Sequence, residues 1–156
     1  MRGITEVTPL RGTVADMLEA KGAIVHAVAP GATVYEAVAM MDDREVGALL
    51  VMDAGKLVGI VSERDYTRKV ILLGRASRET SVAEIMTAPV ITVAPPTTLR
   101  DCLHVVNRHG IRHLPIVDDG RVVGMLSIGD LVRAVLSQQA ETIQNLNSFI
   151  GSDYPR

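Results

Sequence analysis

The sequence predicts an α+β fold in which two β-α-β-β-α units pack sheet to sheet about a pseudo-twofold axis and a C-terminal helix follows. Two observations carry this reading. The stretch DAGKLVGIVSERD from Asp53 to Asp65 lies without a gap over DDGRVVGMLSIGD from Asp118 to Asp130, each residue 65 positions after its counterpart. The same offset carries Val28-Ala-Pro30 onto Val93-Ala-Pro95, Thr33 and Glu36 onto Thr98 and Asp101, and Leu49 onto Leu114. Self-similarity at a fixed period marks a repeated structural unit. The two copies span residues 13–72 and 81–137, and residues 138–156 form a C-terminal helix and tail.

Each copy reads as the same string of elements. A lead-in, Thr13-Val-Ala-Asp16-Met17, matches Ser81-Val-Ala-Glu84-Ile85-Met86, now displaced by 68 positions. The short β-rich runs 24–28 and 90–93 stop at Pro30 and Pro95, since proline cannot donate to a ladder. Thr33-x-x-Glu36 and Thr98-x-x-Asp101 are capping boxes, and helices start there. Val34, Val38 and Met41, or Leu99, Leu103 and Val106, recur at i, i+4, i+7 and mark the buried faces. Gly47–Met52 and Leu114–Val117 are apolar runs too short for helices. Each leads through an Asp-x-Gly turn into Leu57–Val61 or Val122–Leu126, so each copy holds a β-hairpin with Gly55 or Gly120 at positive φ. A second helix follows Ser62 or Ser127, with Tyr66, Val70 and Leu73, or Leu131, Val135 and Leu136, facing inward. Ile143, Leu146 and Ile150 are spaced for a third helix that packs on the pair or on a second subunit. One unit of about 60 residues buries little apolar surface alone, so the duplication predicts one tandem domain.

Composition sets the function classes. A chain of 156 residues has no room for a large multidomain enzyme, and 47% hydrophobic with 22% charged residues is ordinary for a globular protein. The 3 Tyr, 1 Phe and no Trp offer no aromatic platform for stacking bases. The 16 basic and 18 acidic residues give a net charge of −2 without a long block of one sign. No nucleic-acid polymer and no anionic membrane is therefore expected as a partner. A single cysteine, Cys102, cannot form an intrachain disulfide, which fits a reducing compartment. Met1 to Arg11 carry no apolar signal-peptide core, and no run approaches the roughly 18 apolar residues of a membrane span, so the expectation is a cytoplasmic protein.

The most specific motif is Gly-h-h-Ser-x-x-Asp, present as Gly59-Ile-Val-Ser62-Glu-Arg-Asp65 and Gly124-Met-Leu-Ser127-Ile-Gly-Asp130. With both copies at one offset, each after an Asp-x-Gly turn, residues 13–137 resemble a tandem pair of CBS domains, the module named after cystathionine β-synthase. The chain is similar to stand-alone bacterial CBS-pair signal-transduction proteins. The resemblance implies a regulatory module that binds adenine nucleotides (AMP, ADP, ATP or NAD) in two clefts between the repeats and acts on a partner protein.

By the same resemblance, Asp65 and Asp130 would accept from ribose hydroxyls, and Ser62 and Ser127 would donate to ribose or phosphate. Val46-Gly47-Ala48 and Ile111-Arg112-His113 would offer backbone groups to the adenine edge. Thr87 matches a threonine that reaches the nucleotide in relatives, with Leu18 at the matching place in the first copy. Arg64 and Arg68 in the first copy, and His109, Arg112 and Arg108 near the second, are the phosphate candidates. Gly129 stands where the first copy has Arg64, so the clefts are expected to differ. Association into a homodimer is also implied.

Plainer roles compete with these. Ser-x-x-Asp is itself a capping box, and Arg64 and Arg68 also suit a solvated helix face. His109 and His113 are four apart, but Gly110 lies between them, so no metal site is expected. Cys102 reads as a small core residue. No paired acid/base carboxylates, nucleophile elbow, metal cluster or P-loop is present, so an enzyme is disfavoured. A structural interaction protein with empty clefts is the main alternative.

Overall fold

A computed structural model of the chain describes residues 10–152. Helix α1 (Val14–Lys21) precedes β1 (Ala27–Val28), α2 (Val34–Arg44), β2 (Ala48–Asp53), β3 (Lys56–Ser62) and α3 (Glu63–Tyr66), which runs on as a π-helical turn over Thr67–Ile71. Helix α4 (Val82–Ile85) then precedes α5 (Leu99–His109), β4 (His113–Asp118), β5 (Arg121–Ser127) and α6 (Ile128–Ser152). The first sheet has the order β1-β2-β3, with β1 parallel and β3 antiparallel to β2. The second holds β4 and β5. The expected strand at 90–93 is reduced to a bridge between Val93 and Ile116.

The local rules hold at the helix starts. Thr33 accepts from the Glu36 amide and Glu36 returns a carboxylate to the Thr33 amide, while Thr98 accepts from the Asp101 amide. Such caps satisfy amide donors that the first turn leaves without partners. In the hairpin turns Gly55 (φ 79) and Gly120 (φ 75) are joined by Ala54 (φ 49) and Asp119 (φ 50). Two successive positive φ values match the twist of the flanking strands.

Each unit has its own core, and each core is completed from the other copy. Val34, Ala37, Met41, Leu49, Val51, Val61 and Val70 form the first, closed by Val82 and Ile85 of α4. Leu99, Cys102, Val106, Leu114, Ile116, Leu126 and Leu131 form the second, closed by Val14 of α1 with Met17 and Leu18 packed against it. The backbone ties follow the same exchange: Val14 donates to Thr97, and Val82 donates to Ala32. The lead-in helices are therefore swapped between the repeats. Burial pushes the Cys102 thiol up to about 11, aided by the Asp101 charge, as expected of an inert core residue.

Two expectations are corrected. Leu73 is 67% exposed and Leu136 59% exposed, so neither faces inward, whereas Val70 and Leu131 are fully buried. In the first copy the π turn shifts the register before Leu73. The expected separate third helix is the continuation of α6, a single 25-residue helix. No proline or glycine lies between Leu131 and Ile150 to end it, whereas Gly74 at φ 66 follows the equivalent helix of the first copy.

The closest approach falls on the glycines of the repeated motif. A Cβ on Gly59 would lie 2.5 Å from the Met86 sulfur, and one on Gly124 would run into the Leu18 side chain. Gly59→Ala and Gly124→Ala are expected to destabilise the chain by about 1–3 kcal/mol each, as overpacked core positions do. Urea unfolding of Gly59→Ala, Met86→Ala and the double variant checks this: a positive coupling between the two sites is expected, and strict additivity would contradict it.

Candidate functional site

Two pseudo-symmetric corners form where a motif strand ends, a capped helix begins and the lead-in of the other copy passes by. In the first corner Ser62 caps α3: its hydroxyl accepts from the Asp65 amide at 3.2 Å, and Asp65 Oδ2 accepts from the Ser62 amide at 3.0 Å. The carboxylate's other oxygen accepts from Lys69 Nζ at 3.0 Å and from the Thr87 hydroxyl at 3.3 Å. Thr87 belongs to the lead-in of the second copy, and its backbone exchanges two hydrogen bonds with Ile60 of β3, at 2.8 and 3.1 Å. The corner thus joins both repeats around one carboxylate.

The second corner starts the same way. Ser127 accepts from the Asp130 amide at 3.1 Å, and Asp130 Oδ2 accepts from the Ser127 amide at 2.8 Å. The rest differs. Helix α1 stays helical to Lys21, which donates to the Met125 carbonyl at 2.8 Å and to Asp130 Oδ2, while Arg133 donates to Asp130 Oδ1. Burial alone would raise the Asp130 pKa, but the hydrogen bonds from Lys21 and the Ser127 amide, the Lys21 charge and Arg133 outweigh it and hold it below the usual value. His113 is lowered, first by burial and then by the nearby charges of Lys21 and Arg112, with Asp130 opposing.

The other sequence candidates fall around these corners. Gly47 and Arg112 give their carbonyls to the amides of Glu63 and Ile128, the first residues of the two motif helices, at 3.0 and 2.8 Å. Val46 and Ile111 are half-buried and pack against the two cores, and Ala48 opens β2. The His113 ring lies beside Gly47, 3.6 Å from where a Cβ would stand, so these segments face one another across the repeats. Arg64 reaches across to donate to the Gly110 carbonyl at 3.2 Å, and His109 is exposed at the end of α5. Arg68 is exposed, and its side chain has no hydrogen bond or ion pair among the described residues. No metal-binding group of His, Cys, Asp and Glu occurs among the described residues.

Three cations at the carboxylates were not among the sequence candidates. Lys69 and Arg133 lie four and three residues after Asp65 and Asp130, within the reach of a helical turn. The π turn explains why the first corner uses Lys69 while Arg68, the counterpart of Arg133, points away. Lys21 stands 109 residues from Asp130, and no local spacing announces that pair. The structure also moves one equivalence. Leu18 sits on Gly124 as Met86 sits on Gly59, so Glu19, rather than Leu18, holds the place that Thr87 has in the other lead-in.

The family model of the CBS domain matches residues 23–71 and 82–137. The chain belongs to the CBS-domain family. A mitochondrial CBS domain-containing protein of Arabidopsis thaliana, CBSX3, is 40% identical over 151 residues, which cover 91% of this chain and 73% of that one. The structure of a putative signal-transduction protein with CBS domains from Burkholderia ambifaria superposes with a TM-score of 0.80 at 44% identity, covering 82% of this chain and 96% of that one. The CBS domain pair of protein MJ0100, solved in complex with 5′-methylthioadenosine and S-adenosyl-L-methionine, superposes with a TM-score of 0.73 at 26% identity over 81% and 98% of the two chains. The fold is thus the tandem CBS pair, and the matched part of this chain covers nearly the whole of the Burkholderia protein's structure. No helix among the described residues is long and apolar enough to cross a membrane.

The depressed Asp130 pKa has a sign. A carboxylate held below its unfolded value, about 3.9, contributes stability that is present above that pH and is lost as pH falls through the folded value. Asp130→Asn is expected to cost ~1 kcal/mol at pH 7, discounted because Lys21 is 36% exposed, and to flatten the acid limb of the stability curve. Urea midpoints between pH 6 and pH 2 check this; parallel curves for the two proteins would contradict it.

Proposed function

We propose that this CBS pair is a regulatory module that binds an adenine nucleotide or a related adenosine compound at one or both corners and passes its occupancy to a partner protein. The observation that carries the reading is the pair of Ser-x-x-Asp corners, each with one face from a motif helix and another from the opposite lead-in. Asp65 and Asp130 take the ribose hydroxyls, exchanging their present partners for the diol. Ser62 and Ser127 stand at the positive ends of the motif helices, suited to an electronegative atom. Thr87 closes the first corner, while Ala48, Val46, His113 and Ile111 line the approach for adenine with aliphatic and backbone groups. Arg64, Arg68 and Arg112 are exposed cations and His109 is an exposed side chain, all available to a phosphate. A ligand that touches both repeats favours one packing of the pair, by as much as its affinities for the two packings differ.

That a relative of 26% identity was solved with two adenosine derivatives supports this ligand class. Titration calorimetry with AMP, ATP, NAD and S-adenosyl-L-methionine tests it. At least one ligand is expected to bind, about tenfold or more weaker in Asp65→Ala or Asp130→Ala, as the loss of a charge-assisted hydrogen bond implies. No heat with any of the four would overturn the reading in favour of a purely structural interaction protein.

The module is further proposed to act as a homodimer held by α6. Val132, Leu136, Ile143, Leu146 and Ile150 are exposed and, with Gln139 between Leu136 and Ile143, recur at alternating spacings of four and three. That is a heptad seam with one polar position, about 27 Å long at 1.5 Å per residue. A lone polar residue in such a seam lowers its stability somewhat and fixes its register. A second copy carries the matching seam by construction, and between Ala134 and Ser152 the only charged residue, Glu141, lies off the stripe. Light scattering is expected to give twice the 16.7 kDa chain mass, and Ile143→Glu with Leu146→Glu to give one chain mass. A monomeric native protein would contradict the seam.

A further inference from the structure

The two corners differ in a way that chooses between ligands. In the first, the lead-in leaves its helix after Ile85 and lays the Thr87 backbone against Ile60. In the second, α1 continues to Lys21, and an ammonium group sits where that backbone would be, on the carbonyl of Met125, the counterpart of Ile60. The same ammonium is paired with Asp130, whose side chain is 5% exposed. The local charge differs too. The first corner sets Lys69 against Asp65, whereas the second gathers Lys21 and Arg133 on Asp130, with Arg112 close enough to act on His113.

We infer that Lys21 makes the second corner selective for adenine ligands carrying a 5′-phosphate over the uncharged nucleoside. This deepens the reading above and rests on it. For a ribose diol to reach Asp130, Lys21 must leave the carboxylate. A neutral diol replaces a charge-assisted bond with weaker ones and strands an ammonium among Arg112 and Arg133, which repel it. A nucleotide brings its own anion. The phosphate receives the displaced ammonium, so the ion pair is exchanged rather than broken. The first corner imposes a weaker condition: Lys69, 41% exposed, still has the Ile85 carbonyl at 2.8 Å when it leaves the carboxylate, and among the described residues no second cation is paired with Asp65. A bare adenosine derivative is accepted there.

Calorimetry on Asp65→Asn, which weakens the first corner, isolates the second. AMP is expected to bind at least about tenfold tighter than adenosine. Adding Lys21→Met or Lys21→Gln should lower that ratio by about tenfold, through weaker AMP binding and stronger adenosine binding, while Lys21→Arg keeps it. Two neutral replacements guard against a folding defect in one of them, and thermal unfolding confirms that each variant is native. An unchanged AMP/adenosine ratio, or an equal loss of both ligands, overturns the role of Lys21 and leaves the nucleotide reading standing. If Asp65→Asn binds neither AMP nor adenosine while the native chain binds one of the four ligands tested above, this inference alone falls; no heat with any of those four overturns the nucleotide reading, and this inference with it.

Discussion

The structure depends on the exchange of lead-in helices between the repeats. Without α4 the first core loses Val82 and Ile85, both fully buried, and without α1 the second loses Val14. Buried aliphatic side chains of this size contribute roughly 1.5–3 kcal/mol each, a large share of the net stability of a small domain. Neither repeat is therefore a complete folding unit. Gly59 and Gly124 set how closely the exchange can pack, because each leaves the space that Met86 or Leu18 fills. The glycine that opens the repeated motif is a packing device, and the aspartate that closes it is the functional candidate.

Much of this is legible in the sequence because it is written locally. The hairpins follow from apolar runs flanking Asp-x-Gly turns, and the helix starts from Thr33/Glu36 and Thr98/Asp101. The capped Ser-x-x-Asp pairs are local as well, and the structure brings Thr87 onto Asp65. What the sequence hides is long-range or a matter of register. Leu73 fits a 3.6-residue period counted from Tyr66, yet the π turn rotates it into solvent. Lys21 looks like an ordinary charge in the last turn of a short helix, and only the fold carries it to Asp130. The Leu18 equivalence slipped by one place because it pairs Met17 with Met86, whereas the 68-residue offset of the lead-ins puts Leu18 on Met86 and Glu19 on Thr87, as the packing against glycine does.

On the proposed function, the exchange also locates the coupling between ligand and partner. A corner is built from the motif strand and helix of one repeat and the lead-in of the other, so anything bound there touches both. Lys21 is followed by a short stretch that enters β1 at Ala27, and Thr87 by one that reaches Val93. On the proposed reading, displacing Lys21 from Asp130 acts on the connection to the first sheet, and occupying the Thr87 corner acts on the connection to the second. A binding event at one repeat is thereby reported to the other through a few residues of backbone.

The shortage of aromatic residues takes its meaning from the same packing. Aliphatic cores with glycine at the tightest contacts let strands and lead-ins approach closely, which large rings would prevent. The cost is that, of the groups assigned to adenine, His113 alone carries a ring, so on the proposed reading affinity comes mainly from the carboxylates, the helix ends and charge. That places discrimination among adenine ligands on their polar ends, where the two corners differ most. A pair of sites alike in shape and unlike in charge can answer to two members of one ligand class, which one symmetric site repeated twice cannot do.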